Sequence, residues 1–455
     1  YEEYGLTEDL LMEHAAEGMA QAIRERFAAG ASILIAAGPG NNGADGITLA
    51  RLLQGRYDVR LYLPLGAKSS MAKVQLERTR KVGVSESDAI GEADVVVDAL
   101  FGAGLSRPLS EEIAQTVEAM NALEGFKLAC DIPTGLDERG WPSPTAFRAE
   151  MTVTMGALKE ALYLDAAKEY VGEIRCVDLG VERSLYEEES RSFLLEKEDF
   201  LPPLRARRPA AHKGSFGHAA VFCGEKPGAG IMAASAAARF GAGLTTLVVH
   251  EQVEAPPFLM RATTVPDKAS AIAIGPGLGD FFETEMLESQ VVDSSLPVVL
   301  DADALARPDL LEILHQRRRK IVLTPHPAEF TRLWKIVMKE ELSVEEVQRE
   351  RFELARRFSA RFPHVVLLLK GANPILAHLG ELYVNPLGSV ALAKGGSGDV
   401  LSGLIVALLA QGYEALDAAI QGSLALALAA QRYEGADYSM LPTDLIEELR
   451  EEFFL

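Results

Sequence analysis

The stretch "ALAKGGSGDVLSGLIVALLAQG", residues 391–412, determines how the second half of this chain is interpreted. A lysine and four glycine or serine residues come directly before Asp399 and a long apolar segment with the composition of a buried helix. The N-terminus of a helix presents unpaired backbone N–H groups and about half a positive charge. Glycines let these N–H groups approach a ligand closely. The stretch therefore predicts an anion-binding loop that opens a helix.

Two roles are open to Asp399 at such a helix start. As a helix cap it would contribute ~1 kcal/mol, and this role requires no tandem glycines. As a carboxylate beside an anion site it can accept a hydroxyl proton while the backbone N–H groups stabilise charge on a transferred phosphoryl group. We interpret Asp399 as a catalytic base because only the second role explains the glycines.

The length, composition and charge of the chain restrict its class. Its 455 residues exceed the ~250–300 residues that one core usually holds, so two domains are expected. Hydrophobic residues make up 48% and charged residues 24%, as in globular proteins, so each half can form a core. The formal net charge of -21 argues against a nucleic-acid partner. A small nucleotide can still bind through backbone amides.

The cysteine pattern and the apolar runs indicate the compartment. The three cysteines are far apart and form no CxxC pair, which argues against a disulfide framework and a structural zinc site. No signal-peptide pattern precedes the first helix, and the longest apolar run is shorter than the ~18 residues of a membrane span. The sequence therefore predicts a cytoplasmic protein with no membrane partner.

Short apolar runs that alternate with helical stretches predict a parallel sheet in the first half. A helix over about residues 6–27 comes before the strand "SILIAA", which begins at Ser32. Strands separated by helices pair in parallel, with helices on both faces of the sheet. The first half is therefore predicted to be a Rossmann-like three-layer α/β sandwich. Its further strands are predicted to begin at Asp58, Asp94, Lys127, Met151 and Ile174.

The pattern is interrupted between Gly180 and Gly214, where charge runs and the prolines of "LPPLRARRPAAHKG" exclude a regular helix. We place the linker here, which gives domains 1–195 and 196–455. A second α/β series follows, with strands predicted to begin at His218, Thr245, Ala271, Pro297, Lys320 and Val365. Ligands gather at the carboxyl ends of parallel strands, so the loops after the strands are the candidate sites.

The loop "GPGNNGADG", residues 38–46, follows the first strand and opens a helix. Its glycines match the G-x-G-x-x-G spacing of dinucleotide-binding folds. Those folds also place an acid at the carboxyl end of the second strand, whereas here the acid, Asp58, stands at the start of that strand. This difference argues against a redox Rossmann domain. A tight turn and an anion cradle at the helix N-terminus both stay open, and we favour the cradle.

Two further strand ends in the first half carry acids, Asp98 and Asp131. Each could be an ordinary strand-end cap. Three polar loops meet at one sheet edge, however, which favours a site. Asn42, Asp98 and Thr134 offer the hard oxygen ligands that suit a monovalent or alkaline-earth cation, and Asp131 can act as an acid or a base if it is buried.

The motifs "GPGNNGADG", "DALFGAGLSRP" and "DIPTGLD", in this order, resemble the NAD(P)HX epimerase domain of the bifunctional NAD(P)H-hydrate repair enzymes. The resemblance covers most of residues 1–180. It implies Asp131 as a catalytic residue and Asn42, Asp98 and Thr134 as ligands of K⁺. The implied substrate-binding residues are Asn41, Asn42, Gly43, Ala44, Asp45, Gly102, Ala103, Gly104, Leu105, Ser106, Arg107 and Pro108.

The strand-end loops of the second half carry glycines and charged side chains. "GEKPGAG", residues 224–230, and "GPGLG", residues 275–279, are flexible enough to fold over a ligand, although each alone is also an ordinary turn. The motifs "LDADAL", "TPHPAEF" and "LKGANPI" add a polar cluster that could hold Mg²⁺ together with phosphate oxygens, whereas its spacings match no zinc pattern. The cluster comprises Asp301, Asp303, His326, Glu329 and Lys370.

Together with "KGGSGDVLSG", these motifs resemble the ribokinase-like domain of the NAD(P)HX dehydratases over about residues 212–455. The resemblance implies a ribokinase-like α/β fold, ADP or ATP as phosphoryl donor, and Mg²⁺. It implies Asp399 as the catalytic residue and Ala229, Gly279 and His326 as further substrate contacts. The implied nucleotide-binding residues are Lys370, Gly371, Ala372, Asn373, Pro374 and Gly398.

The two resemblances imply repair of NADHX and NADPHX, the hydrates of NADH and NADPH. The first domain would interconvert the two C6 epimers, and the second would use a nucleotide to dehydrate the S epimer. Two alternatives stay open: a ribokinase-like kinase for a small molecule such as a vitamin precursor, with an accessory nucleotide-binding domain, and a nucleotide-binding scaffold without activity. A homo-oligomer is expected.

Overall fold

The computed structural model describes residues 2–105, 107–186, 190–201, 209–279, 282 and 284–450. The chain divides into two compact units, Tyr1–Ser190 and Arg191–Leu455. Both units have α/β architecture, so the predicted fold class is confirmed. The segment Ser192–Leu194, which the sequence assigned to the first domain, belongs to the second unit because it pairs with residues 382–384 there.

A seven-stranded sheet organises the first unit, in the order β3-β2-β1-β4-β5-β6-β7, and every pair of neighbours is parallel. Its strands are β1 (Ser32–Ala37), β2 (Asp58–Tyr62), β3 (Ser85–Ser87), β4 (Val95–Ala99), β5 (Phe126–Cys130), β6 (Met151–Met155) and β7 (Glu173–Val177). The α-helices of this unit are α1 (Glu8–Arg26), α2 (Asn41–Leu53), α3 (Ser70–Lys81), α4 (Glu111–Asn121) and α5 (Lys168–Val171).

Helices cover both faces of this first sheet. Ile33 and Ile35 of β1 join a hydrophobic cluster with α1, α2 and α3. Ala36 of β1 and Val96 of β4 join a separate cluster with α4. Successive side chains of a strand point to opposite faces of the sheet, so the continuous apolar runs of these strands serve two cores. The predicted three-layer sandwich is confirmed.

A ten-stranded sheet organises the second unit, in the order β11-β10-β9-β12-β13-β14-β15-β16-β17-β8. Its strands are β8 (Ser192–Leu194), β9 (His218–Cys223), β10 (Leu244–Val249), β11 (Met260–Ala262), β12 (Ala271–Ile274), β13 (Val298–Leu300), β14 (Ile321–Leu323), β15 (Val365–Leu369), β16 (Ile375–His378) and β17 (Glu381–Val384). The sheet is parallel except at β16, which pairs antiparallel with β15 and with β17.

The core of the second unit forms around one fully enclosed helix. The α-helices here are α6 (Pro227–Arg239), α7 (Thr284–Leu287), α8 (Leu310–Leu314), α9 (Pro327–Met338), α10 (Val344–Arg349), α11 (Arg351–Arg361), α12 (Ser397–Ala410), α13 (Ala415–Arg432) and α14 (Pro442–Glu448). Every residue of α12 from Val400 to Ala410 is buried, and the helix packs against α6, α13 and the sheet. A Cβ atom at Gly403 would lie 2.1 Å from the carbonyl oxygen of Ala233, so the contact between α12 and α6 requires glycine.

Each sheet reverses its strand order at one point. In the first sheet the reversal lies between β1 and β4, and in the second it lies between β9 and β12. Ligands of open parallel sheets bind in the crevice outside the carboxyl ends of the strands at such a point. The glycine-rich loops found in the sequence follow these strands. Across the described ranges, α-helices long and apolar enough to span a lipid bilayer are absent.

Candidate active sites

The loop between β1 and α2 packs so closely that it requires glycine. A Cβ atom at Gly38 would lie 1.8 Å from the carbonyl oxygen of Leu100, and a Cβ atom at Gly43 would lie 1.9 Å from that of Gly38. Helix α2 begins at Asn41, and its N-cap residue, Gly40, has no side chain to occupy the free N–H groups. The loop therefore keeps helix N–H groups available beside the end of β4, as an anion cradle needs.

Asp98, at the carboxyl end of β4, is fully buried against Thr134. Its Oδ2 atom accepts a hydrogen bond of 2.7 Å from the Thr134 N–H group. Its Oδ1 atom accepts one of 2.7 Å from the Thr134 hydroxyl and one of 3.1 Å from the Leu100 N–H group. Burial raises the pKa of Asp98 to about 6, although these hydrogen bonds lower it. Within the described residues no cationic side chain pairs with this carboxylate.

The surroundings of Asp98 fit a cation with oxygen ligands. The Nδ2 atom of Asn42 is buried and has no hydrogen-bond partner among the described residues. The two ends of an amide are interchangeable by rotation, so the amide oxygen can take that position. The Phe101 N–H group donates to Thr134 Oγ1 at 2.9 Å, and a Cβ atom at Gly102 would lie 2.7 Å from Asn42 Oδ1. A buried carboxylate that has the Thr134 hydroxyl beside it and no cationic partner among the described residues offers oxygen ligands that suit a hard cation such as K⁺.

Asp131 follows β5 and has a left-handed backbone conformation, with a φ angle of 67°. Its Oδ1 atom forms an ion pair of 2.7 Å with Lys159 Nζ and accepts a hydrogen bond of 3.1 Å from the Thr154 hydroxyl. Its Oδ2 atom accepts a long hydrogen bond of 3.4 Å from the Ala103 N–H group. Strained backbone conformations of non-glycine residues concentrate at functional sites. This conformation places the Asp131 carboxylate against the loop that follows β4.

The other predicted substrate contacts of the first unit lie on the same two loops. The Asn41 side chain donates a hydrogen bond to Glu8. Burial, followed by the charges of Asp131 and Glu8, raises the pKa of Asp45 well above its usual value. The structure brings Asn42, Gly102, Ala103 and Asp131 together. Ser106 lies outside the described residues. The remaining members of the set are Gly43, Ala44, Gly104, Leu105, Arg107 and Pro108.

In the second unit, Lys370 follows β15 and joins two acids from other strand ends. Its Nζ atom lies 2.8 Å from Asp301 Oδ1 and 3.6 Å from Glu329 Oε2. The Ser402 hydroxyl of α12 donates to Asp301 Oδ2 at 2.8 Å. Burial lowers the pKa of Lys370, but the two carboxylates raise it by more, so its pKa lies above the usual value. The Lys370 ammonium is therefore a fixed positive charge at this edge of the sheet.

Asp399 lies in the first turn of α12 and makes no hydrogen bond or salt bridge with any residue that the structure describes. The N-cap residue is Gly396, with a φ angle of 101°, and no side chain caps the helix. Burial raises the pKa of Asp399 to about 6, repulsion from Asp301 adds to this rise, and Lys370 opposes it. The hydroxyl oxygen of Ser397 is also buried with no partner among the described residues. Capping therefore does not account for Asp399.

The bend before Asp399 is open to a ligand. Gly395 is exposed, and a Cβ atom placed there would meet no other atom within 4 Å. A Cβ atom at Gly398 would lie 3.3 Å from Lys370 Nζ. Two of the predicted nucleotide-binding residues, Gly398 and Lys370, therefore lie side by side and next to the predicted base.

The predicted substrate contacts of the second unit lie on loops around this cluster. His326 caps α9: its Nδ1 atom accepts a hydrogen bond of 3.2 Å from Ala328 N–H, and its Nε2 atom lies 3.1 Å from Glu329 Oε1. The Gly279 N–H group donates to Asp303 Oδ2 at 3.0 Å. The Cβ atom of Ala229 would lie 3.0 Å from a Cβ atom at Gly277, so the loops after β9 and β12 touch.

A buried arginine binds the backbone of residues 370–374, the segment predicted to bind the nucleotide. Arg351, the first residue of α11, is 0% exposed. One of its Nη atoms donates to the carbonyl oxygens of Leu369 at 3.0 Å, Lys370 at 3.1 Å and Asn373 at 3.4 Å. Burial lowers the pKa of Arg351 to about 9. Asn373 is buried, whereas Gly371 and Ala372 are exposed and Pro374 is half-buried.

Comparisons with known proteins agree with the division into two units. Residues 8–161 match the family model described as the YjeF-related protein N-terminus, and residues 219–451 match the model of NAD(P)H-hydrate dehydratase. The bifunctional NAD(P)H-hydrate repair enzyme of Helicobacter pylori is 41% identical, with 99% of this chain and 96% of the relative covered. The chain belongs to the bifunctional NAD(P)H-hydrate repair enzymes. The Coxiella burnetii enzyme of the same name is 35% identical over 98% of this chain and 95% of its own.

Among solved structures, the ADP/ATP-dependent NAD(P)H-hydrate dehydratase of Bacillus subtilis, co-crystallised with ATP and Mg²⁺, is 28% identical to this repair-enzyme chain. The match covers 56% of this chain and 93% of that one, with a TM-score of 0.47.

The acidic cluster of this repair-enzyme chain does not fit a resident Mg²⁺ ion. Lys370 Nζ contacts both Asp301 and Glu329, so a cation already stands beside these two carboxylates. Asp303 accepts the Gly279 N–H group instead of facing the other acids. The described residues contain no group of three or more His, Cys, Asp or Glu side chains that could hold a metal ion. The sequence interpretation of these residues as magnesium ligands therefore lacks support in the geometry.

Sequence reasoning missed three side chains that shape the two sites of this family member. Lys159 pairs with Asp131, Ser402 binds Asp301, and Arg351 holds the segment after β15. Ser402 stands three residues after Asp399 in the stretch quoted first, and helical spacing could have placed it on the same face. Lys159 and Arg351 stand in no motif, and only the fold brings them to their partners.

Proposed function

We propose that this chain repairs hydrated NADH and NADPH with two active sites. The N-terminal unit interconverts the C6 epimers of NADHX and NADPHX. The C-terminal unit restores NADH or NADPH from the S epimer at the expense of ADP or ATP. Support comes from the two family matches on one chain and from the full-length relatives that bear the name of this repair activity.

The dehydratase chemistry requires a base and an anion site next to each other. The C6 hydroxyl is a poor leaving group, so its oxygen attacks the terminal phosphorus of the nucleotide while Asp399 takes the hydroxyl proton. The bond from that phosphorus to the departing nucleotide breaks. The ring nitrogen then expels phosphate from C6, and loss of a C5 proton restores the C5–C6 double bond. Backbone N–H groups of the glycine bend stabilise the charge on the moving phosphoryl group.

The single observation that carries this proposal is the unoccupied carboxylate of Asp399 beside the Lys370 ammonium. It lies at the start of a buried helix, it caps nothing, and burial raises its pKa to about 6. A general base is most effective when its pKa lies near the working pH. An ordinary cap would instead bind a backbone N–H group and have a lowered pKa.

The remaining ligand contacts of the second unit are proposed from the positions of the loops. Lys370 and Gly398 are side by side, and with residues 371–374 they would bind the nucleotide. Ala229 in the first turn of α6, Gly279 after β12 and His326 at the N-cap of α9 would face the hydrate. A Mg²⁺ ion, if one takes part, would come with the phosphates, because Asp301 and Glu329 already contact Lys370.

In the first unit, Asp131 would transfer protons during epimerisation. The loops of Asn41–Asp45 and 102–108 would bind the nucleotide part of the hydrate. Asn42, Asp98 and Thr134 would hold K⁺, which supplies the positive charge that the buried Asp98 carboxylate lacks. The free cysteines support a cytoplasmic location, and the homo-oligomer stays a prediction.

The test is recovery of the NADH absorbance band when the protein is incubated with NADH hydrate and ADP. Recovery should be accompanied by release of AMP and inorganic phosphate. Asp399→Asn should lower the rate by ~10²–10⁴-fold, the range typical for a general base. A fully active variant would show that Asp399 is not the base. A stable phosphoester in place of inorganic phosphate would favour the small-molecule kinase instead.

A further inference from the structure

The two oxygens of the Asp131 carboxylate have different surroundings. Oδ1 accepts from Lys159 Nζ at 2.7 Å, from the Thr154 hydroxyl at 3.1 Å and from the Met155 N–H group at 3.3 Å. Among the described residues, Oδ2 has only one hydrogen bond, a long one of 3.4 Å from the Ala103 N–H group. One oxygen is therefore anchored, and the other is available to a substrate on the loop after β4.

Lys159 is fixed by oxygens on all sides. Besides Asp131 Oδ1, its Nζ atom lies 2.7 Å from the Thr154 hydroxyl, 3.0 Å from the Met155 carbonyl oxygen and 3.1 Å from the Ala157 carbonyl oxygen. An ammonium group has three hydrogens to donate, so these oxygens use all of them. The Lys159 side chain is 26% exposed and that of Asp131 is 16% exposed. Lys159 therefore acts through Asp131 and has no free proton to give to a substrate.

We propose that Lys159 is the positioning residue of the epimerase site, where its contact with Oδ1 directs the Oδ2 atom of Asp131 at the C6 hydroxyl of the hydrate. This inference rests on the proposed epimerase function of the first unit. The contacts of Oδ1 also restrict rotation of the Asp131 carboxylate. The backbone of Asp131 is strained as well, with a positive φ angle.

The hydrate is a hemiaminal, in which C6 carries both the hydroxyl group and the ring nitrogen. Oδ2 takes the hydroxyl proton, the C6–O bond becomes a carbonyl, and the C6–N1 bond breaks with its electron pair on N1, where the conjugated carboxamide delocalises it. Rotation about the C5–C6 bond presents the other face of the carbonyl. N1 then attacks this face, and Asp131 returns the proton to the oxygen. No oxidant or further reactant is consumed.

Other titratable groups lie near Asp131. Burial, followed by the charge of Asp131, raises the pKa of Asp45 on α2. Burial, followed by the charges of Asp45 and Asp131, raises the pKa of the thiol of Cys130, the last residue of β5, so this thiol stays neutral. Lys159 is the one cation in contact with Asp131 among the described residues.

The test measures the kinetics of interconversion of purified NADHX epimers by chromatography, with the full chain and without nucleotide. Lys159→Met and Lys159→Gln should lower kcat by ~10²-fold or more and leave KM nearly unchanged, because the carboxylate that takes the proton loses its anchor. Lys159→Arg, which keeps a cationic donor, should recover most of the lost kcat. Gln retains a donor without charge, so it keeps the test valid if Lys159→Met fails to fold.

Lys127→Met is the matched control. Among the described residues, Lys127 Nζ contacts only backbone carbonyl oxygens, those of Leu123 at 2.5 Å and Gly125 at 3.3 Å. Like Lys159 it binds backbone carbonyl oxygens, but it contacts no carboxylate. A wild-type kcat in Lys159→Gln would overturn the positioning role. If the wild-type chain failed to interconvert the epimers above the buffer rate, the proposed epimerase function itself would fail.

Discussion

Lys370 and Asp301 form an ion pair in which Nζ and Oδ1 are 2.8 Å apart and the Asp301 side chain is 2% exposed. Ser402 occupies the second carboxylate oxygen at 2.8 Å, so both oxygens of Asp301 are bound. The pair fixes a positive charge next to Gly398 at the start of α12. A ligand phosphate at this helix N-terminus would meet the charge without any rearrangement of Lys370.

Asp301→Asn should therefore affect both folding and nucleotide binding. Loss of one partner of a buried ion pair costs up to ~3–5 kcal/mol, and here Glu329, at 3.6 Å, would compensate part of the Lys370 charge. We expect a lower midpoint in urea unfolding and a higher KM for ADP. Asp309→Asn is the control, since it removes the partner of Arg307 in a pair outside the site. Equal effects of the two variants would contradict a special role of Asp301.

The dehydratase rate should depend on pH through Asp399. Its pKa is raised to about 6, and the base must be ionised, so kcat should fall about tenfold per unit below that pH. The raised pKa also means that the ionised carboxylate does not stabilise the fold at neutral pH. Asp399→Asn should thus retain its melting temperature near pH 7.5 while losing activity. If the residual activity of Asp399→Asn fell at low pH as the wild-type activity does, the ionisation seen in the pH profile would belong to another group.

Potassium should stabilise the first unit through Asp98. The pKa of this acid is raised from 3.8 to about 6, so its favourable contribution is complete below pH 3.8 and is lost as the pH rises through 6. At neutral pH the ionised group costs about 3 kcal/mol, which a bound cation offsets. We expect KCl to raise Tm above that in choline chloride near pH 7.5, and less so near pH 5. The shift should vanish in Asp98→Asn.

Asp94→Asn is the control for the potassium experiment. Asp94 precedes the same strand at its opposite end, where its carboxylate accepts hydrogen bonds from the backbone and hydroxyl of Ser32. This variant should keep the full response to KCl. A response that survived in Asp98→Asn would place the ion elsewhere.

Arg351→Met should remove the hydrogen bonds that fix residues 370–374, the segment predicted to bind the nucleotide. The substitution leaves the carbonyl oxygens of Leu369, Lys370 and Asn373 without this donor, at a cost of ~1–3 kcal/mol for each buried group left unpaired. A displacement of the segment by about 1 Å would lower kcat/KM for ADP by up to ~10²-fold. Arg357 lies on the same helix as Arg351 and pairs with Glu340 at the surface. Arg357→Met should change kcat/KM for ADP by less than about twofold and leave the stability nearly unchanged. Unchanged kinetics in Arg351→Met would refute the positioning of the segment by this arginine.

Strands with a continuous apolar run and a glycine-rich exit were predictable from the sequence. β1 is such a case, since "SILIAA" ends directly before Gly38. The hairpin of β16 and β17 was not predicted, because its turn consists of Leu379 and Gly380 and lacks the usual Asn-Gly signal. Leu379 has a φ angle of 51° and Gly380 one of 82°, as a two-residue hairpin turn with two positive φ angles requires, against the preference of leucine.

The candidate site was predictable where one short stretch carried both the loop and its chemical group. Asp399 and Gly398 are adjacent in sequence, so their proximity needed no fold. Asp131 was predicted as a strand-end acid, but its partner Lys159 lies beyond β6, and the pairing depends on how the chain returns to the sheet edge. Long-range pairs of this kind leave no local periodicity to detect.

Because α12 is enclosed from Val400 to Ala410, this part of the helix cannot unwind without exposing the core of the second unit. Segments of this kind open only with global unfolding, and their amide hydrogens exchange slowly. The half-buried carboxylate of Asp399, which we propose as the base, is attached directly to the start of this rigid segment. Adaptation to a bound ligand would then come from the surrounding loops, while the proposed acceptor of the proton stays still.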